Sequence, residues 1–429
     1  MKKITPSERI RKEIDEILTG MNRTESADTP LPRFTRLALQ HLLQELLEGE
    51  QTDFLGREHY EHKPGRGGWR NGYEPGTLKT SEGKVPVALP QVRNSETPFR
   101  SRLWAQMGRR TVELERLAVE LYARGLSTRD IEDALETATG ERILSRSTVS
   151  EITESLWDEY QTFQQRSLAD FELECLFLDA VYEALRLEAG IKEGVLCAWG
   201  ILRDGRKVLL HLALGNNEST EAWLAMIRSM IERGLVVPLS ITADGAPGLI
   251  AAIEQAYPNS LRIHCWAHKM RNIETKLPKE VVTQVRAEIW TIRDAATFEQ
   301  GQARAAEVIA RYEQIYPSAM ACLKHDLTAS LNHLKLPARL RQNVRTTNLL
   351  ERAFVEERRR TKIIPRFFNE KSCLKLVFGA LARASQRWAR IRFTATELEQ
   401  LSALRRVLKL PPVREPESTP AAVSCPPAA

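Results

Sequence analysis

"ITADGAPGLIAAIEQ", residues Ile241 to Gln255, decides the fold. An apolar, strand-like run stops at Asp244, Gly245 follows, and a helix starts near Pro247, a residue favoured at the first helical position. A strand running directly into a helix is one half of a βαβ unit. "ECLFLDAVYEALR" (Glu174–Arg186) has the same form, with Cys175 to Leu178 leading straight into Asp179. Both aspartates are either turn and cap residues or carboxylates facing each other from neighbouring strands.

Working outward, "GVLCAWGILRD" and "KVLLHLALG" read as two more strands joined by a turn at Asp204-Gly205. "STEAWLAMIRSMIERG" is an amphipathic helix. Trp223, Met226, Ile227, Met230 and Ile231 share its face, Ser219 or Thr220 caps it, and Gly234 lies past its end. "VVPLSITAD" is a fourth strand and "LRIHCWAH" a short fifth. The order β-β-β-α-β-α-β predicts a mixed α/β sheet with helices on both faces. The first and fourth strands are then parallel neighbours, and Asp179 and Asp244 approach near their carboxyl ends, where α/β folds place their sites.

Two carboxylates held close repel unless a cation lies between them, and hard divalent cations take oxygen ligands of this kind. A pair of such ions needs a third acid. The candidate is Glu351 in "RTTNLLERAFVEERRRTK" (Arg345–Lys362). The plain alternative is local: Asn348 followed three residues later by Glu351 has the form of a capping box. Glu356 and Glu357 compete for the role, and Asp244 before Gly245 equally suits a helix cap.

The chain has 429 residues, 42% apolar and 28% charged, which points to a globular protein of two to four units. No stretch is apolar enough to span a bilayer, and "MKKITPSERIRKEIDEIL" lacks the apolar run of a secretory signal. The six scattered cysteines form no C-x-x-C pair and read as reduced thiols, so a cytoplasmic location is expected. Lys335 to Lys409 carries 19 Lys/Arg against 6 Asp/Glu, a net +13 in a chain of net +6. Such a segment attracts phosphate backbones; solvated helix faces are the bland explanation.

Toward the amino terminus, "FTRLALQHLLQELLEGE" (Phe34–Glu50) is helical by spacing. "GREHYEHKPGRGGWRNGYEPGTLKTSEGKVPVALPQVR" (Gly56–Arg93) mixes Arg66, Arg70 and other basic residues with Trp69 and Tyr73, and its second half reads as a hairpin. Between residues 109 and 160, Ser127 and Ser147 look like N-caps of two short helices. The pair suits a helix-turn-helix whose second helix is Ser147 to Trp157, although a plain helical hairpin has the same spacing.

"LFLDAVYEALR", "ITADGAPGLIAAIEQAYP…CWAH" and "RTTNLLERAFVEERRRTK" resemble the three acidic blocks of the IS256/Mutator-type bacterial insertion-sequence transposases. "FLGREHYEHKPGRGGWRNGYEPGTLKT" and "LYARGLSTRDIEDALE…SRSTVSEIT" resemble that family's amino-terminal and helix-turn-helix blocks. The resemblance runs from Phe54 to about Arg390. It implies an RNase H-like core carrying an Asp-Asp-Glu triad, here Asp179, Asp244 and Glu351, with a helical insertion before the glutamate. It also implies two Mg²⁺ (or Mn²⁺) ions held by the same three acids. The expected activity is metal-dependent strand cleavage and strand transfer on double-stranded DNA, both the element's terminal inverted repeats and target DNA. A homodimer or higher assembly is expected because two ends must meet, and no membrane is involved.

The domains expected on this reading are an N-terminal helical region (1–53), a basic Gly/Pro-rich segment with a hairpin (54–104), and a helix-turn-helix-like DNA-binding region (105–165). The catalytic core (166–270), a helical insertion (271–340), the rest of the core with basic helices (341–410) and a disordered tail (411–429) follow. DNA contacts are expected from Arg66, Arg70, Arg129, Arg146, Ser147, Thr148, Arg345, Arg358, Arg359, Arg360 and Lys362. Cys265 and His268 form a C-x-x-H, which supplies two of the four ligands zinc needs, so they are read with Asn348 as structural or positioning residues. The competing readings are an RNase H-like DNA nuclease without strand transfer, a catalytically dead DNA-binding regulator, and a zinc-stabilised scaffold.

Overall fold

A computed structural model describes residues 4–21, 31–59, 61, 67–184, 192–215, 219–361, 367 and 369–413. Arg66, Lys362 and the tail from 414 onward lie outside them. The chain divides into two compact units, Met1–Ser155 and Leu156–Ala429.

The first unit begins with helices α1 (Pro6–Met21) and α2 (Leu31–Leu55). Strands β1 (Trp69–Thr80) and β2 (Gly83–Arg93) form an antiparallel hairpin. Val85, Val87 and Leu78 of the hairpin bury against Leu43 and Leu47 of α2. The alternation of apolar and polar residues in "KVPVAL" suits a sheet buried on one face. Helices α3 (Arg102–Met107), α4 (Val112–Ala123), α5 (Thr128–Thr139) and α6 (Arg146–Ile152) complete it. Ser127 caps α5 in a capping box with Asp130, as its position suggests. The second cap differs from expectation. Ser145, with extended backbone, caps α6 by accepting from the Thr148 N–H, so Ser147 lies inside the helix. That helix ends at Ile152 instead of running on to Trp157.

The second unit opens with α7 (Ser155–Gln165) and holds a five-stranded mixed sheet. Its strands are β3 (Leu173–Ala184), β4 (Lys192–Leu202), β5 (Lys207–Gly215), β6 (Ser240–Ala243) and β7 (Leu261–His264), in the spatial order β5-β4-β3-β6-β7. The first three pair antiparallel, and β3–β6 and β6–β7 pair parallel. Helices α8 (Thr220–Glu232) and α9 (Pro247–Ala256) fill the connections between the parallel strands. Trp223, Met226, Ile227, Leu249 and Ile253 cover one sheet face. On the other, Phe177 stacks on Trp199 at 4.0 Å and Trp199 meets Trp388. Two covered faces explain why Cys175 to Leu178 is an unbroken apolar run.

After β7 come α10 (Trp266–Glu274), α11 (Val282–Arg293), α12 (Phe298–Tyr312), α13 (Pro317–Lys324), α14 (Leu327–Leu331) and α15 (Ala338–Val344). They form a second core around Trp266, Ile289, Ile292, Met320 and Leu331. Helices α16 (Asn348–Thr361), α17 (Glu370–Ser385) and α18 (Ala395–Val407) close the unit. Among the described residues, no helix is long and apolar enough to cross a membrane.

The carboxylate of Glu174, at the start of β3, is fully buried between Arg203 at 2.8 Å and Arg405 of α18 at 3.8 Å. Arg405 also donates to the Val237 carbonyl at 2.7 Å. Removing one partner of a buried pair strands the other charge. Arg405→Ala is therefore expected to destabilise the protein by about 3–5 kcal/mol in denaturant unfolding. Glu174→Gln with Arg405→Met should recover part of that loss.

Candidate active site

β3 and β6 pair Cys175 with Ser240, Leu176 with Ile241 and Phe177 with Thr242. Continued two residues, that register brings Asp179 level with Asp244. Asp179 does not end its strand as the sequence suggested, because β3 runs on to Ala184 against β4. What ends there is β6, and Asp179 meets the gap that β6 leaves. The side chain is 7% exposed and accepts the Ala180 N–H at 2.9 Å.

Asp244 is not the cap of α9. That position is Ala246, with Pro247 as the first helical residue and no side-chain cap. Asp244 accepts the Ala246 N–H at 3.0 Å across the turn. Gly245 is required by space, since a Cβ there would stand 2.7 Å from the His264 ring.

Glu351 comes from far along the chain, and a clamp brings it in. The Thr242 hydroxyl donates to the Val344 carbonyl at 2.7 Å, and the Trp266 N–H donates to the Arg345 carbonyl at 2.9 Å. The Thr347 N–H donates to Cys265 Sγ at 3.3 Å. The segment 344–347 is thus held against β6 and the start of α10. The Glu351 N–H donates to the Thr347 carbonyl, so Thr347 stands at the cap and Glu351 one position beyond the third helical residue that a capping box uses. The Asn348–Glu351 capping box does not form. The Glu351 carboxylate instead lies 3.8 Å from His268 Nε2 and 3.5 Å from Arg271 Nη2.

His268 is the centre of the cluster. Its pKa is pushed up to about 9, first by interaction with Cys265, then by the carboxylates of Asp179 and Asp244, against the lowering effect of burial. His268 Nδ1 has no partner of normal hydrogen-bond geometry, so the effect rests on charge. Burial alone would raise the Cys265 thiol, but His268 and Thr347 outweigh it and hold it below its ordinary value. Asp179 is pushed up to about 7, chiefly by burial and further by Asp244, with His268 opposing.

The structure therefore brings Asp179, Asp244 and Glu351 around one imidazole. Two carboxylates, one of them buried and short of countercharge, suit a hard divalent cation. Glu351 lies on the His268 and Arg271 side, and no group of three potential ligands close enough to hold a metal ion exists among the described residues. The donor set fits one such cation at the aspartates, with Glu351 a side-chain reorientation away from joining them. Zinc finds nothing further at Cys265 and His268. His264 is turned to Asp326 at 3.1 Å, and His333 is bonded to the Ser330 and Arg293 carbonyls.

The remaining expected residues scatter. Arg345 is paired with Asp294. Arg358 and Arg359 are exposed and Arg360 half-buried on the last turns of α16. Asn348 is exposed beside Thr347. In the first unit Arg129 and Ser147 are exposed, while Thr148 is half-buried and its side chain meets the Ser145 hydroxyl. Arg146 is bonded to the buried Glu132 at 2.8 Å. The guanidinium of Arg70 is engaged by the Glu58 and Arg57 carbonyls and the Thr52 hydroxyl. Sequence reasoning missed Thr347 and Arg271, which carry no signal without the clamp, and gave His268 no part beside the acids.

Residues 12–391 match the family described as Transposase, Mutator family. The chain is 31% identical over 359 residues to the transposase for insertion sequence element ISRM5 of Rhizobium meliloti, covering 83% of this chain and 89% of that one. It is 32% identical over 355 residues to the transposase for IS406 of Burkholderia multivorans, covering 82% and 90%. To the transposase for IS256 in transposon Tn4001 of Staphylococcus aureus it is 27% identical over 353 residues, again covering 82% and 90%.

A raised carboxyl pKa means that the folded state holds its proton more tightly than the unfolded chain. The cost of ionising Asp179 grows from the ordinary aspartate range upward and stands in full above about pH 7. Asp179→Asn is thus expected to raise the melting temperature of the metal-free protein by a few degrees at pH 8, and by little at pH 4. Thermal scans in chelator at both values measure the difference.

Proposed function

The chain belongs to the Mutator family of transposases, and on that premise we propose that it binds the terminal inverted repeats of its insertion sequence and cuts and joins DNA through Asp179, Asp244 and Glu351. One observation carries this reading: residues more than a hundred positions apart are drawn to one imidazole, by the β3–β6 register and by the clamp on 344–347. Local capping explains neither Asp244 nor Glu351.

The sheet order, three antiparallel strands then two parallel ones, supports an RNase H-like core with α11 to α15 as its insertion. The catalytic core is then residues 166–270 with 341–410, and 271–340 is the insertion. Residues 1–165 are the end-binding part. Within it α5 and α6 form the helix-turn-helix, Arg129 and Ser147 stand ready for DNA, and Arg146 braces the two helices.

Asp179 and Asp244 are the ligands for Mg²⁺ or Mn²⁺, with Glu351 completing the set. When bound, the cations polarise the scissile phosphate and lower the pKa of the attacking hydroxyl. The chain's own residues do the rest. Burial of Asp179 keeps its carboxylate dry and short of countercharge. Protonated His268 offsets the two aspartates and holds Glu351 at 3.8 Å until DNA and cation arrive. Arg271 and the basic face of α16 meet phosphates. The attacking group is water in cleavage and a 3′-hydroxyl in strand transfer, so no protein–DNA covalent bond forms. Two ends must be joined, which calls for at least a dimer.

The test uses labelled duplexes ending in the inverted repeats that flank the coding sequence. Wild-type protein with Mg²⁺ should nick the end and join it to target DNA. Asp244→Asn and Glu351→Gln should bind the end as wild type does and lose cleavage by roughly 10²–10³-fold or more. Cleavage without joining would reduce the protein to a nuclease, and binding that needs none of the three acids would make it a regulator. Neutralising Arg358 and Arg359 should weaken binding to all sequences alike and lower the salt slope by about 1 for each phosphate that is no longer neutralised; an unchanged slope would remove them from the DNA path.

A further inference from the structure

Beside the acidic cluster lies a cavity of about 400 Å³, within the range of sites that take small ligands. One wall is a single face of α11, where Arg286, Trp290 and Arg293 recur at helical spacing. The facing wall is α10, with Arg271 and Glu274, and the rim is Thr346 and Asn348 on either side of the clamped Thr347. Trp290 is half-buried, and the Arg293 guanidinium lies over its ring at 3.8 Å. Three arginines and one acid make the wall positive. Arg286 pairs with Glu274 at 2.6 Å, Arg293 with Asp294 at 2.6 Å, and Arg271 with Glu351 at 3.5 Å. Arg271 and Arg286 keep 60% and 43% of their side chains exposed, so a phosphate can exchange for these weak pairs.

A flat aromatic surface stacked with a guanidinium plane, ringed by cations, is the chemistry that recognises one unstacked nucleotide. The duplex interior offers no free base face, so such a nucleotide must leave the stack. Arg271 touches both the cavity and Glu351, which places the cavity next to the scissile phosphate. We infer that this cavity holds a single nucleotide of the element's end, swung out of the duplex beside the cleaved bond, with its base on Trp290 and Arg293 and its phosphate at Arg271 and Arg286. The inference rests on the transposase reading of the acidic cluster. It adds a work-holding role for the helical insertion: a nucleotide held out of the stack fixes its neighbouring phosphate over the acids.

The experiment uses full-length protein and duplexes ending in the flanking inverted repeat, with 5-iodouracil placed in turn at positions around the cleaved bond. The complexes are irradiated in Ca²⁺ to avoid turnover. A cross-link from one position, mapped by mass spectrometry to Trp290, is expected; a bound end that cross-links elsewhere, or equally from every position, would overturn the assignment. In a second arm, Trp290→Leu should slow cleavage of the fully paired end by roughly 5- to 150-fold, the value of one base stack. Trp290→Phe should stay near wild type, and an end with an unpaired nucleotide at the cross-linked position should narrow the Leu defect. Equal rates for wild type and Trp290→Leu on the paired end would also reject it. Wild-type protein that neither binds nor cuts the end rejects the transposase reading itself, whereas wild-type cutting with no Trp290 cross-link rejects this inference alone.

Discussion

The hydrogen bonds that pin residues 344–347 to the sheet are the constraint on which the site depends. Three groups from β6 and the start of α10 hold this short segment: the Thr242 hydroxyl, the Trp266 N–H and the Cys265 sulfur. All of them are buried, so leaving any one unmade costs the desolvation of its partner. The segment sits between a helical insertion with its own core and the helix that carries Glu351. Without the clamp that glutamate has no fixed relation to the aspartates. Cys265 illustrates the economy of the arrangement, because the same sulfur takes the Thr347 N–H and acts on His268.

The insertion is seated on the sheet by a second buried network. Arg262 of β7 makes a two-pronged pair with Asp326 at 2.5 and 2.6 Å, and the same carboxylate takes His264. Asp326 adopts a left-handed backbone, φ 57, which aspartate tolerates better than most residues. The buried Lys269 ammonium donates to the neighbouring His325 carbonyl. The His264 ring also lies against Gly245, directly after Asp244. One strand thus braces the aspartate turn on one side and the insertion on the other. Movement of the insertion is therefore felt at Asp244 through packed atoms.

Charge in the cluster is arranged for something that is not protein. Asp179 is buried beside a second carboxylate, and the countercharge near it is His268. A structural ion pair of this depth normally comes with close charged hydrogen bonds, as Glu174 has with Arg203 and, further off, Arg405. Asp179 has its neighbour's backbone N–H and the Thr347 hydroxyl, neither of them charged. The contrast between two buried acids in the same strand marks one as architecture and the other as a binding group.

Much was legible in the residues alone. Strand order, the α8 face built on Trp223 and Met226, the parallel neighbours β3 and β6, and the helical stretch after Lys269 all follow from apolar periodicity and turn residues, which act over a few positions. Family membership follows from the acidic blocks in the same way. What the sequence left open was every choice between a local and a distant partner. Asn348 and Glu351 have capping-box spacing, but the backbone begins the helix one residue earlier, because Thr347 is already held by Cys265. Ser147 has the look of a cap, but Ser145 is the residue with extended backbone. Asp179 seemed to end a strand that in fact continues beside β4. Each outcome is decided by packing between segments tens of residues apart, whose energies no local pattern records. The acids could be named from the chain; only the packed sheet, the clamp and the seated insertion decide that they face one another.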